Sequence, residues 1–271
     1  MIKKNYVKFF GIFLFASLFA GCIKSNDKPT PEQSKQFLKL RGYDFDDESF
    51  LRAAKDGDVI AINGFLSAGI NPNAKDKITE ETALIIAASR TDKKVIEALM
   101  KGGANINAKD RNGDSAIFRV LREKQDDVAE MLLQYNPDPN LQSADGSTIV
   151  MWYTGKEREE IVQKLLSQNA NVNLQDKDGD AALHRAAQYG NLNLLKMLLE
   201  KGANPNLKNK VGGTALMWAA VYGNTDAAKL LLERGADPKI KDEDGLTAAN
   251  WAEKNKREEL AKILKEAEMK K

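Results

Sequence analysis

His184 is the only histidine of the chain and Cys22 the only cysteine. Zinc sites and triad-type catalytic centres both draw on these residue types and need several groups gathered together. One of each cannot supply the partners, so neither a zinc site nor a histidine-based catalytic centre is expected. Asp176, Asp178 and Asp180 in DKDGD alternate as the first ligands of a calcium loop do. The glycine of such a loop falls at Ala181 and its closing glutamate at Ala187, so the motif fails. No phosphate-cradling loop of Walker or G-x-G-x-x-G type is present. The carboxylates are scattered along what read as solvated helix faces. These residues point to no enzyme, no metal and no cofactor.

Composition agrees. The chain has 271 residues, 42% hydrophobic and 30% charged, which is enough for a sizeable core or an extended array with a solvated surface. Lys and Arg number 41 against 39 acidic residues, and without Lys3, Lys4 and Lys8 the balance is 38 to 39. A near-neutral body gives no electrostatic reason to bind nucleic acid.

Cys22 has a different use. MIKKNYVKFFGIFLFASLFAGC opens with basic residues and continues into an apolar run, Phe9 to Ala20. As a helix that run would rise about 18 Å, short of the ~30 Å hydrocarbon layer, so a secretory signal fits better than a membrane span. Its end, LFAGC (18–22), resembles a bacterial lipoprotein signal, with Phe19 where leucine is more usual. The resemblance implies cleavage after Gly21 and lipidation of Cys22; the alternative is an ordinary signal with an incidental cysteine. Ile23, where some inner-membrane lipoproteins carry aspartate, favours the outer membrane of a diderm cell, with the periplasmic side or the surface left open. The polar stretch IKSNDKPTPEQSK, with two prolines, reads as a flexible tether. The expected organisation is a signal peptide over 1–21, a lipidated N-terminus and tether over 22–40, and one body over 41–271.

What orders that body is a repeat. TALI, SAIF, TIVM, AALH, TALM and TAAN begin at Thr82, Ser115, Thr148, Ala181, Thr214 and Thr247, each interval being 33. Counted from these anchors, leucine-type pairs recur at +17 and +18, from Leu99-Met100 to Leu231-Leu232. Asn107, Asn140, Asn173 and Asn206 recur at +25. An earlier copy fits with Glu48 at the anchor and Asn73 at its end. About seven copies result: 41–73, 74–107, 108–140, 141–173, 174–206, 207–239 and 240–271. DKDGDAALHRAAQYGN and VGGTALMWAAVYGN, each leading to a leucine pair and a G-A segment, resemble the ankyrin repeat. The resemblance implies an all-α solenoid of helix-turn-helix units with β-turn fingers, each unit too short to stand alone and stacked into one core. It also implies that His184 hydrogen-bonds backbone rather than a ligand. Gly202 and Gly235 suit left-handed helix ends, and Asn136 and Asn169 replace that glycine with the residue that best tolerates the same conformation. The third and fourth copies lose the alanine pair, to Val120-Leu121 and Tyr153-Thr154, so the middle is expected to be the least regular packing. The polar last copy suits a terminal cap.

At 100° per residue, +2, +5, +6 and +9 form the buried arc of the inner helix, and +4, flanked by +7 and +8, points the other way. In a stack of inner helices that direction is the concave groove. Position +4 holds Arg52, Ile86, Arg119, Trp152, Arg185, Trp218 and Trp251, which includes all three tryptophans. Tyr189 and Tyr222 stand at +8 and Arg122 at +7. Trp, Tyr and Arg are the types enriched at binding hot spots. The column would equally serve to shelter neighbouring helices, or to stack arginine on aromatic rings without any partner. The resulting expectation is a lipid-anchored, non-enzymatic scaffold that binds a protein through groove and fingers, with no small-molecule substrate. An alternative within binding is an inhibitor or immunity-type protein that blocks a secreted enzyme or toxin, using the acidic turn tips Asp178, Asp180, Asp242, Glu243 and Asp244. An enzyme is the remote alternative.

Overall fold

A computed structural model describes residues 29–156 and 158–270. The signal peptide and Cys22 lie outside the described residues. The chain divides into two compact units, Met1–Pro137 and Asp138–Lys271.

The first unit holds α1 (Pro31–Leu40) and then three helix pairs. These are α2 (Asp47–Asp56) with α3 (Val59–Ser67), α4 (Ala83–Ser89) with α5 (Lys93–Lys101), and α6 (Ala116–Arg122) with α7 (Asp126–Leu133). The second unit holds four pairs: α8 (Ile149–Gly155) with α9 (Glu159–Ser167), α10 (Ala182–Tyr189) with α11 (Leu192–Glu200), α12 (Ala215–Tyr222) with α13 (Thr225–Glu233), and α14 (Ala248–Lys254) with α15 (Glu258–Lys270). Among the described residues there is no strand, only isolated bridges such as Lys109 with Ser115 at the base of a finger. The fold is all-α.

Helices of seven to ten residues do not hold by themselves; stacking does it. The first helices of successive pairs pack on one another, α2 on α4 on α6 in the first unit and α8 through α14 in the second. The alanine pairs Ala87-Ala88, Ala186-Ala187 and Ala219-Ala220 are fully buried between them. Val120-Leu121 and Tyr153-Thr154 are as completely buried, so the larger residues are absorbed rather than expelled. Thr154 Oγ1 is nevertheless buried without a hydrogen bond. In the second unit asparagines link successive copies: Asn171 N–H donates to Asn140 Oδ1 (2.7 Å), Asn204 N–H to Asn173 Oδ1 (2.8 Å) and Asp237 N–H to Asn206 Oδ1 (2.7 Å). Asn136 and Asn169 take the left-handed conformation expected of them, with φ of 50° and 63°.

Two expectations are corrected. Residues 31–40, read as tether, form α1. Thr30 accepts from Gln33 N–H while Gln33 Oε1 accepts from Thr30 N–H, Pro31 sits at the first helical position, and Phe37 and Leu38 are buried, with α1 packed on α3. The prolines taken as a linker signal include a helix start. In the first copy, Glu48 is not the cap. Asp46 caps α2 by accepting from Ser49 N–H, and Glu48 lies inside the helix.

Candidate groove surface

From Thr82 onward each inner helix starts at its anchor. Thr82, Thr148 and Thr247 accept from the backbone N–H three residues on. The +3 side chain answers in three pairs: His184 Nδ1 accepts from Ala181 N–H (3.0 Å), Asn250 Oδ1 from Thr247 N–H (3.0 Å) and Met151 Sδ from Thr148 N–H. Because His184 Nδ1 accepts, the proton is on Nε2, which faces the carbonyls of Leu207 (3.1 Å) and Gly213 (3.3 Å) in the next finger. His184 is thus the backbone clamp the resemblance implied. Its burial pushes its pKa below the ordinary imidazole value, against the opposing pull of Asp180 and Asp176.

Position +4 is not simply solvent-facing, which corrects the helical-wheel expectation. Ile86 is buried, Arg52 is exposed, and Arg119, Trp152, Arg185, Trp218 and Trp251 are half-buried. Several reach back nine residues, to the first residue of their own finger. Arg119 pairs with Asp110 (2.5 Å) and also with Glu81 (3.0 Å), and Arg185 pairs with Asp176 (2.8 Å). Trp251 Nε1–H donates to Asp242 Oδ2 (2.6 Å). These are braces between helix and finger: a charge-assisted bond holds the loop against the groove face. The signal for them was in the sequence, as complementary Asp110/Arg119, Asp176/Arg185 and Asp242/Trp251 pairs at one spacing, and reading the +4 column alone missed it. The other two first-unit arginines of the expected groove, Arg122 and Arg52, are also engaged within the protein. Arg122 pairs with Asp114 (3.1 Å), while Arg52 lies over the Tyr43 ring (5.0 Å) and donates to Gly42 O.

The other two tryptophans have no such acceptor. Ser143 replaces the aspartate opposite Trp152, its hydroxyl bonding Asp145 and the Ser147 carbonyl, and Trp152 Nε1 is buried without a partner. Asn209 stands opposite Trp218, but its Oδ1 accepts from Gly213 N–H and Val211 N–H. Trp218 instead stacks on Tyr222, with centroids 5.9 Å apart and planes 18° from parallel. Tyr222 is 45% exposed and Tyr189, one copy earlier, 50%. Gln188 ties the two helices by donating to the Tyr222 hydroxyl (3.0 Å). In the second unit α10 and α12 therefore each present an exposed tyrosine, with Trp218 stacked on that of α12. The first unit has no aromatic residue at +4 or +8.

The fingers of the second unit are joined through backbone. Lys177 N–H donates to Asp145 O, Lys210 N–H to Asp178 O and Glu243 N–H to Val211 O, at 2.8 to 3.1 Å. Among the described residues no group of histidine, cysteine, aspartate and glutamate is placed to hold a metal ion.

The helix pairs, the finger turns and the backbone-clamping histidine agree with a family comparison. The family model for ankyrin repeats (three copies) matches residues 50–143, 122–209 and 201–271, which together span most of the chain. Proteins built from such repeats generally act as protein–protein interaction modules. The chain belongs to the ankyrin-repeat family.

Proposed function

We propose that this protein is a lipid-anchored binding module that holds a protein partner on the groove face and fingers of its repeats. It does so without catalysis of its own. The observation that carries the reading is the Trp218–Tyr222 stack, together with the similarly exposed Tyr189 one copy earlier. A soluble protein gains nothing in its own core from tyrosines left half in water, whereas Trp and Tyr in one patch are what binding surfaces concentrate. The lipid anchor rests on LFAGC and the lone Cys22, and more than one acyl chain there would make membrane attachment stable. Ile23 in place of aspartate supports the outer membrane as the destination.

The test is retention of partners by protein purified from native membranes, comparing the wild type with Trp218→Ala and Leu216→Ala. Trp218→Ala is expected to lower stability by about 1 kcal/mol, as partly exposed positions do. It should weaken a retained partner by about 2 kcal/mol. Leu216, two residues away, is buried at 1% exposure, and its truncation should cost roughly 2–5 kcal/mol of stability. A Trp218→Ala protein that unfolds as readily as Leu216→Ala would assign the tryptophan to the core and remove the basis of the reading.

A further inference from the structure

The second unit contains its own illustration of what its aromatic side chains can hold. In the last copy, Lys254 at +7 lies over the Trp251 ring, its ammonium 5.1 Å from the centroid. One copy earlier +7 is Val221, and among the described residues no cation–ring contact falls on Trp218 or Tyr222. The faces of these rings are electron-rich and attract ammonium and guanidinium groups.

The neighbouring fingers have the matching charge. Residues 176–180, 209–213 and 242–246 carry six acidic groups against Lys177 and Lys210. Two of the six, Asp176 and Asp242, are occupied by Arg185 and Trp251, and Asp180 accepts from Asn209. Asp178, Glu243 and Asp244 are exposed, and no described side chain bonds them. Backbone hydrogen bonds from Lys210 N–H to Asp178 O and from Glu243 N–H to Val211 O join the two acidic fingers to 209–213, so these carboxylates stand on the fingers either side of the one that leads into α12, the helix of Trp218 and Tyr222.

We propose that Trp218 and Tyr222, on the helix whose finger lies between the acidic fingers of Asp178 and of Glu243 and Asp244, receive an extended segment of a partner protein that places a lysine or arginine on their rings. This rests on the groove-binding reading above and gives the partner its chemistry. The cation takes the position over Trp218 and Tyr222 that Lys254 takes over Trp251. The finger carboxylates offset its charge and favour its approach over that of an acidic segment.

The experiment selects a displayed library of random short peptides against the detergent-solubilised full chain. Parallel selections use Trp218→Leu/Tyr222→Leu and Glu243→Gln/Asp244→Asn proteins, each first checked for wild-type thermal unfolding. Tyr222→Leu alone replaces the double variant if that one unfolds early. The wild type should enrich peptides rich in lysine and arginine, and the ring variant should not. For an enriched peptide, changing its basic residue to glutamine should weaken binding about tenfold, as should the ring substitutions. Neutralising Glu243 and Asp244 should cost a few-fold and flatten the salt dependence. Enrichment of uncharged or acidic peptides that still need Trp218 and Tyr222 would overturn the cationic partner and leave the groove reading standing. Peptides that bind wild type and ring variant alike would overturn both. Failure to enrich any peptide overturns the cationic-segment proposal, and partner retention from membranes then tests the groove alone.

Discussion

His184 shows how one residue can be structural and still respond to solution conditions. Its Nδ1 faces the Ala181 N–H, so a second proton there would set donor against donor and break the start of α10. Burial lowers its pKa in the folded state, while the unfolded chain keeps a value of about 6.5. The unfolded state then binds the proton more readily. The contribution of His184 to stability is therefore complete above about pH 6.5 and is lost progressively as the pH falls below that value. His184→Asn separates this from the carboxylates, because Asn250 already accepts from its anchor N–H in the equivalent position. Denaturant midpoints measured at pH 7.5 and pH 5 should fall further for the wild type than for His184→Asn. Equal losses would mean that His184 binds its proton as readily in the folded protein as in the unfolded chain.

Among the elements, the third and fourth pairs carry the departures. Gln125 and Arg158 begin α7 and α9 without a side-chain cap bond, whereas Asp58, Asp92 and Asn191 each cap the corresponding helix by accepting a backbone N–H. Lys124 ends α6 in the left-handed conformation (φ 57°) that Gly190 and Gly223 supply elsewhere, a backbone cost of about 1–2 kcal/mol. A lost cap costs typically ~1 kcal/mol more. Local opening follows local stability, so amide exchange should be faster over 115–170 than over 181–235. Uniform protection would show that the tight burial of Val120, Leu121 and Tyr153 makes up for the missing caps. The repeat was legible in the sequence because the 33-residue spacing fixes helix, turn and asparagine together, and every anchor from Thr82 onward does begin a helix. What escaped is where the spacing stops. Asp46 displaces the anchor by two residues, and α1 lies ahead of the first copy, announced only by the TPEQ capping box. The direction of +4 was legible, its burial was not. A helical wheel contains one helix, and Arg119, Arg185 and Trp251 are covered by fingers that it leaves out.

At the scale of the whole molecule, the proposed anchor and the start of the fold constrain each other. Because α1 begins at Pro31, only the residues from Cys22 to Thr30 separate a lipid on Cys22 from folded protein. Even fully extended at about 3.5 Å per residue, they reach roughly 30 Å. A lipidated chain would thus keep the start of its first helix within about one bilayer thickness of the membrane surface. Cys22→Ala tests the premise. It should abolish acyl labelling, block the processing that depends on it, and leave the chain with its N-terminal segment uncleaved. It should not change thermal unfolding of the folded body, whose first helix is capped at Thr30, eight residues beyond it. The measurements are metabolic acyl labelling and the mass of the mature N-terminus of the native protein. A native chain whose Cys22 carries no lipid, or whose first residue lies elsewhere, would detach these repeats from the membrane and remove the roughly 30 Å limit on the start of α1.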